Sequence, residues 1–323
     1  MRAFVCRTLS EDWSGASVED MPEPAPRAGE ALVRVLAAGV NFPDLLMCQG
    51  KYQLKPELPF VVGMEGAGEI VALGEGVSDW SIGDRVIVGG RFGMFAEHVT
   101  VPAATLRAKP GALDMAQAAS YGAAYLTAYV ALVRRGALQA GETLLVHGAA
   151  GGVGLAAVDL GKLLGAQVIA TASTEAKRDF LKSYGADHVL APSGFREAVK
   201  DFTGGRGADV IYDPVGGDVF DESVRCIAFG GRLLIIGFTS GRIPTVPVNM
   251  PLIKGFSVVG VRAGEYGRQF PQRGKENAEA IWSLADEGRI RPRVCARLPL
   301  ERTHDAFRLL SSRQAIGKVA VTP

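Results

Sequence analysis

One stretch constrains this chain more than any other: TLLVHGAAGGVGLAAVDLGKLLGAQVIAT, residues 143–171. It sets an apolar strand, a glycine-rich turn, a helix and a second strand in the order that a dinucleotide-binding βαβ unit requires. Ala149, Gly151 and Gly154 hold the three small-residue positions of the turn. Small residues there allow a tight turn, a close backbone approach to a pyrophosphate, and close packing of the helix on its strand. The amides that open the helix near Gly152 and Val153 then face the phosphates. A chain built around this unit is expected to be α/β, with a parallel sheet covered on both faces.

The flanking text agrees. From about 140 to 261 the strands TLLVH, QVIAT, HVL, ADVIYD, RLLIIG and FSVVGV alternate with helical segments at 153–164, 175–184, near 195–202 and near 218–228. Six such strands predict a Rossmann-type doubly wound parallel sheet. Residues 1 to about 120 read differently, as short strands (MRAFVCR, ALVRVLAAG, AGEIVALG, DRVIVGG, FAEHVTV) separated by Gly, Pro and Asp turns. With 323 residues the chain exceeds the size of one core, about 250 to 300 residues. The expected division is a β-rich domain over 1–121, completed by 262–323, and a nucleotide-binding domain over 122–261. The tail supplies an amphipathic helix with a glycine stop at Gly288 and a shorter one in HDAFRLLSS.

The end of the second nucleotide-domain strand bears on which nicotinamide cofactor binds. An acidic residue there would hold the adenosine ribose and repel a 2′-phosphate. The text is ATASTEAKR: Ser173, Thr174 and Lys177 can donate to a phosphate, and Glu175 comes only in the first helical turn. NADPH is the expected cofactor; Lys177 as a solvated helix residue is the competing reading.

Several classes of function are disfavoured. Lys plus Arg number 35 and Asp plus Glu 34, a formal net charge of +1 that gives no reason to expect a nucleic-acid or acidic-membrane partner. The apolar segments are too short for a membrane span, and MRAFVCRTLSEDWSG lacks the pattern of a secretory signal, so a cytoplasmic location is expected. Cys6, Cys48, Cys226 and Cys295 stand far apart without a CxxC pair, against a disulfide framework or a structural zinc knot.

AAGVNFPDLLMCQGKY (37–52), LPFVVGMEGAG (58–68), GDRV (83–86), YLTAY (125–129), VHGAAGGVG (146–154), YDPVGG (212–217) and IGKV (316–319) together make the whole chain resemble the medium-chain dehydrogenase/reductase superfamily. Within it the chain is similar to the zinc-free quinone oxidoreductase, zeta-crystallin-like branch. The resemblance implies a GroES-like β-rich catalytic domain beside the Rossmann domain, and a homodimer paired through FSVVGV. In zinc-dependent relatives a cysteine would stand at Asn41 and a histidine at Met64. The region of the third ligand, SYGAAYLTAY, has no Cys, His or Asp, and no four-cysteine loop is present. No metal site is expected, and Met64 is apolar filling. Glu65 remains from the motif, as a carboxylate satisfied by neighbouring backbone or basic groups, or as a catalytic group.

Without a Lewis acid to lower a hydroxyl pKa, alcohol oxidation is disfavoured and reduction of an electrophilic acceptor is the natural direction. The resemblance places Asn41 and Tyr52 in the active site, where an amide and a phenol can both donate to a developing oxyanion. Asn41 as a turn residue before Pro43 and Tyr52 as a loop aromatic are the alternatives, and Asp44 can cap the following helical turn. The resemblance further implies Thr127 beside the nicotinamide, Val215 in the cleft, Gly237, Phe238 and Thr239 along the nicotinamide ribose and amide, and Arg313 on the 2′-phosphate. A tyrosine that relatives carry after the third strand is Pro192 here. His147 reads as packing, and His98, His188 and His304 suggest no metal. Quinones and α,β-unsaturated carbonyls are the expected substrates. Arg262, Arg268, Arg273 and Lys275, if not a solvated loop, would suit a carboxylate or coenzyme A phosphates, and so an enoyl thioester reductase. A non-catalytic NADPH-binding, crystallin-like role is the other alternative.

Overall fold

The computed structural model describes residues 1–323. Met1–Ala123 and Trp282–Pro323 form one compact unit, and Ala124–Ile281 forms the other. The chain thus leaves the second unit later than the residue 262 read from the sequence. The reason lies in the packing of Arg262–Ile281. Arg134 donates from Nε to Asn277 Oδ1 (2.7 Å) and pairs with Glu276 (2.9 Å), which holds this segment within the second unit.

The strands of the first unit are β1 (Arg2–Cys6), β2 (Ala16–Asp20), β3 (Glu30–Val40), β4 (Phe60–Val61), β5 (Glu65–Leu73), β6 (Arg85–Gly89), β7 (His98–Pro102) and β8 (Arg107–Ala108), with two from the far end of the chain. Those of the second are β9 (Thr143–Val146), β10 (Gln167–Thr171), β11 (His188–Leu190), β12 (Ala208–Asp213), β13 (Ile227–Ile235) and β14 (Ser257–Gly260). The returning pair is β15 (Val294–Pro299) and β16 (Lys318–Thr322). The helices are α1 (Phe42–Cys48), α2 (Met115–Tyr129), α3 (Gly152–Leu163), α4 (Glu175–Tyr184), α5 (Phe195–Phe202), α6 (Gly217–Ser223), α7 (Asn249–Lys254), α8 (Ala263–Gln269), α9 (Pro271–Asp286) and α10 (Thr303–Ser311). A π-helical segment, Val130–Arg135, continues α2.

In the first unit β3 is the organising strand. Its sequence EALVRVLAAGV is buried along most of its length because it pairs with β5, β7 and β16. The antiparallel register Val319↔Val40, Ala320↔Gly39 brings Lys318 beside the end of β3, where α1 begins. Phe4, Leu45, Ile70, Phe95 and Phe307 fill the core beneath.

The second unit carries a six-stranded parallel sheet in the order β11-β10-β9-β12-β13-β14. Strand order reverses between β9 and β12, and ligands of such sheets bind beyond the carboxyl ends of the strands at that switch. TLLV and VIAT are fully buried, as strands covered on both faces require. The fifth strand begins at Ile227 and α6 ends at Ser223, so the helix read to about 228 is shorter than expected. Ile227 and Phe229 suit a strand better than a helix turn. The segment 262–275 is largely helical in α8 and the start of α9 instead of a loop. No helix is long and apolar enough to cross a membrane.

Candidate functional site

In the second unit the glycine-rich turn takes the form its residues allow. A Cβ at Gly154 would fall 2.4 Å from the Gly148 carbonyl oxygen and 2.7 Å from Ala149 Cα. That close approach seats α3 on β9 and excludes any larger residue. The first bond of the helix runs from the Leu155 N–H to the Gly151 carbonyl (2.8 Å). The amides of Gly152, Val153 and Gly154 therefore stay open to an anion, with the positive end of a helix dipole behind them. This cradle fits the pyrophosphate of a dinucleotide.

The loops that follow β12 and β13 are laced together. Asp213 is buried, and its Oδ1 accepts from the Val215 N–H (2.8 Å) and the Gly216 N–H (2.9 Å). The Pro214 carbonyl accepts from both the N–H and the hydroxyl of Thr239 (3.1 Å each), and the Val215 carbonyl accepts from the Ser240 N–H (2.9 Å). Val215 Cγ2 would lie 3.3 Å from a Cβ at Gly148, so this loop borders the glycine-rich turn. The structure thus brings Val215, Gly237, Phe238 and Thr239 together near Ala149, Gly151 and Gly154. Thr127 is half-buried on α2, Ser173 is exposed, and Arg313 is an exposed residue of the first unit with φ 57°.

Lys177 is buried, which corrects the reading of a solvated helix residue. Thr174 caps α4 by accepting from the Lys177 N–H (3.3 Å). His147 is fully buried as packing. The Ser223 hydroxyl donates to the Val219 carbonyl (2.7 Å), so it accepts from His147 Nε2–H (2.8 Å), and Nδ1 accepts from the Thr171 hydroxyl (3.0 Å). Burial lowers its pKa to about 3, so the ring is neutral.

In the first unit Asn41, Asp44, Glu65 and Lys318 meet in the interior, all less than a tenth exposed. Lys318 Nζ donates to Asn41 Oδ1 (2.6 Å), Glu65 Oε1 (3.1 Å) and the Val40 carbonyl (3.1 Å). Asn41 Nδ2 donates to Glu65 Oε1 (2.9 Å) and the Gly39 carbonyl (3.3 Å). Glu65 Oε2 accepts from the Ala123 N–H (2.8 Å). A Cβ at Gly39 would fall 2.8 Å from Glu65 Oε1, so the cluster needs glycine there.

Glu65 is thus satisfied by a backbone amide, an amide side chain and an ammonium. Both amide hydrogens of Asn41 are spent on protein acceptors, which corrects the expectation of a free donor at that position. Asn41 also opens α1: Asp44 Oδ2 accepts its N–H (2.8 Å), and the Asp44 N–H donates to its carbonyl (3.0 Å). Asp44 Oδ1 has no hydrogen-bond partner, and burial raises the carboxyl pKa to about 7.

Tyr52 is half-buried, packed on the same core, and its hydroxyl makes no hydrogen bond within the chain. Met64 packs there as well. No group of three His, Cys, Asp or Glu side chains is placed to hold a metal ion. Sequence reasoning missed the roles of Lys318 and Asp213, although both lie in quoted motifs, IGKV and YDPVGG. Their partners are set by long-range pairing for Lys318 and by turn geometry for Asp213.

The four charges at 262–275 are largely turned onto their own segment. Arg268 pairs with Glu265 (2.9 Å), Arg262 approaches the same carboxylate (3.9 Å), and Arg273 donates to the Tyr266 hydroxyl (3.0 Å) while lying over the Phe270 ring.

Comparison with known proteins agrees with this architecture. A model described as alcohol dehydrogenase GroES-like domain matches residues 27–111, and one described as zinc-binding dehydrogenase matches 152–280. The chain is 40% identical over 327 residues to a quinone oxidoreductase-like protein 2 homolog of Nematostella vectensis, covering 99% of this chain and 88% of that protein. A probable oxidoreductase from Mycobacterium abscessus superposes with a TM-score of 0.89 at 40% identity, over 100% of this chain and 99% of that one. Escherichia coli quinone oxidoreductase complexed with NADPH gives a TM-score of 0.90 at 29% identity, with both chains fully covered. The chain belongs to the zinc-free quinone oxidoreductase branch of the medium-chain dehydrogenase/reductase superfamily and is an oxidoreductase.

Proposed function

We propose that the protein is a zinc-independent, NADPH-dependent reductase that transfers hydride to a quinone or an α,β-unsaturated carbonyl. The observation that carries this reading is the Asn41–Glu65–Lys318 cluster. Where metal-dependent relatives would place a ligand, this chain places an amide whose hydrogens and oxygen are already bonded, beside a carboxylate that holds a built-in ammonium. A divalent cation would have to displace Lys318 and leave it buried without a partner, which is strongly unfavourable.

The bound coenzyme supplies the hydride. The protein's part is to hold the pyrophosphate on the amides of α3 and to offer a donor where negative charge develops on the acceptor oxygen. Tyr52 suits that role because its hydroxyl is uncommitted. Asn41 acts as a positioning residue that ties the start of α1 to Glu65. The absence of a carboxylate at the end of β10 favours NADPH, and the E. coli relative forms a complex with that coenzyme.

The test is NADPH oxidation by chelator-treated protein against a simple quinone, an enone and an enoyl-coenzyme A ester. Metal-independent turnover of the quinone or enone is the expected result. Turnover of the thioester alone, an outcome that the internal pairing of Arg262, Arg268 and Arg273 disfavours, would displace the quinone reading. Tight NADPH binding without turnover of any acceptor would favour a non-catalytic role. We further propose a homodimer formed through the free edge of β14.

A further inference from the structure

The turn between β10 and α4, Ala172-Ser173-Thr174, carries no carboxylate. The Thr174 hydroxyl oxygen caps α4 by accepting from the Lys177 N–H, and Lys177 is buried. The cation set directly on this turn is the next residue. Arg178 reaches back from the first turns of α4, and its Nη1 donates to the carbonyls of Ala172 (3.2 Å) and Ser173 (3.1 Å). These are the first two residues after β10, where the adenosine ribose of a dinucleotide lies.

A guanidinium has five N–H donors in one plane. The two carbonyls engage Nη1, while Nε and Nη2 make no hydrogen bond within the chain. Arg178 is half-buried, so the side chain is held and yet open to solvent. A guanidinium fixed at one edge loses little further freedom when its other edge meets an oxyanion, and its fork matches phosphate oxygens. Both side-chain hydrogen bonds of Arg178 run to the turn.

We propose that Arg178 is a specificity-determining residue: clamped on the Ala172 and Ser173 carbonyls, its guanidinium receives the 2′-phosphate and selects the phosphorylated coenzyme. This rests on the NADPH reading above and adds a residue to the Ser173, Lys177 and Arg313 expected from the sequence.

The experiment measures dissociation constants and needs no turnover. Wild type, Arg178→Gln and Arg178→Lys are titrated with NADPH and NADH by coenzyme fluorescence, and with 2′,5′-ADP and 5′-AMP by calorimetry. For Arg178→Gln the expected result is NADPH and 2′,5′-ADP binding weakened by about tenfold to hundredfold, the range for a lost charged hydrogen bond. NADH and 5′-AMP binding should change by less than about twofold, and Arg178→Lys, which keeps the charge without the fork, should fall between. Wild type that binds NADH as tightly as NADPH would overturn the cofactor reading and the inference with it. Wild type selective for NADPH, with Arg178→Gln equally selective, would overturn the inference alone. Parallel weakening of all four ligands would make Arg178 a structural clamp and also overturn it.

Discussion

Glu65 and Lys318 are 253 positions apart in the chain and 3.1 Å apart in the fold, both nearly inaccessible to solvent. Removing one partner of such a pair leaves the other buried without compensation, at a cost of about 3 to 5 kcal/mol. Lys318→Met should therefore lower the unfolding free energy by that amount in urea titrations. The double variant Glu65→Gln/Lys318→Met should recover much of it, because no lone charge remains; an additive loss would mean that the pair is not coupled. Asp44 is the third ionisable group here, and one ammonium faces two carboxyl groups. The neutral arrangement keeps Asp44 protonated, in keeping with its pKa pushed up from 3.8 to about 7 by burial. The folded state then binds more protons than the unfolded chain between those values. The contribution of Asp44 is greatest below its unfolded pKa and declines as pH rises through its folded one. Asp44→Asn should flatten the fall in stability between about pH 4 and about pH 7 by a few kcal/mol. Some slope should persist from Asp159, whose pKa burial raises to about 6 against the lowering effect of the hydrogen bonds it accepts from the Tyr125 and Tyr184 hydroxyls. An unchanged slope in Asp44→Asn would remove this account. The sequence made Glu65 and Asn41 visible through the motifs around them. It could not join them to Lys318, because no local period encodes a contact made only when β16 pairs with β3.

At the scale of elements, the nucleotide-binding half was legible because each strand and helix carries its own period and its own turn residues. Gly151 and Gly154 mark a turn that no larger side chain fits, and that signal is local. The laced loops after β12 and β13 were half legible. YDPVGG and GFTSG could be placed near the coenzyme by resemblance, but the lacing rests on Asp213, whose carboxylate folds its own turn by accepting two amides in succession. Asp213→Ala leaves the Val215 and Gly216 amides without that acceptor, and each buried amide so stranded costs about 1 to 3 kcal/mol. The loop should then spend less time in the geometry that borders Gly148. Expected is a rise in the Michaelis constant for NADPH of about tenfold, with a smaller change in kcat. Asp213→Asn, which can keep the accepting oxygen, should lie closer to wild type. Equal effects of the two substitutions would assign the carboxylate's charge, and not its turn, the larger role. The helical character of 262–275 escaped the sequence reading because glycines and arginines dilute its apolar period, while Tyr266, Phe270 and the Glu265–Arg268 pair stabilise it through contacts three and four residues apart.

The whole molecule leaves one conspicuous surface uncovered. The last strand of the parallel sheet, β14, has a free edge, and next to it in the chain Val248 is 87%, Leu252 82% and Ile253 70% exposed, with Phe229 on the neighbouring strand 86% exposed. Isolated exposed apolar residues are ordinary; a run of this kind beside an unpaired strand marks a place where another chain docks. A second copy satisfies both features at once, because an edge strand related to itself by a two-fold axis pairs antiparallel with its own sequence and buries the same apolar residues from both sides. Light scattering on the wild-type protein at micromolar concentration should give twice the 34.0 kDa chain mass. Val248→Glu/Leu252→Glu puts like charges on both sides of that surface without touching the buried core of the protomer, so it should yield a monomer with an unchanged circular dichroism spectrum. Its melting temperature should then lose the dependence on protein concentration that a dimer shows. A wild-type protein that is monomeric across the concentration range would sink the dimer, and the apolar run would then have to be explained by an occupant other than this chain.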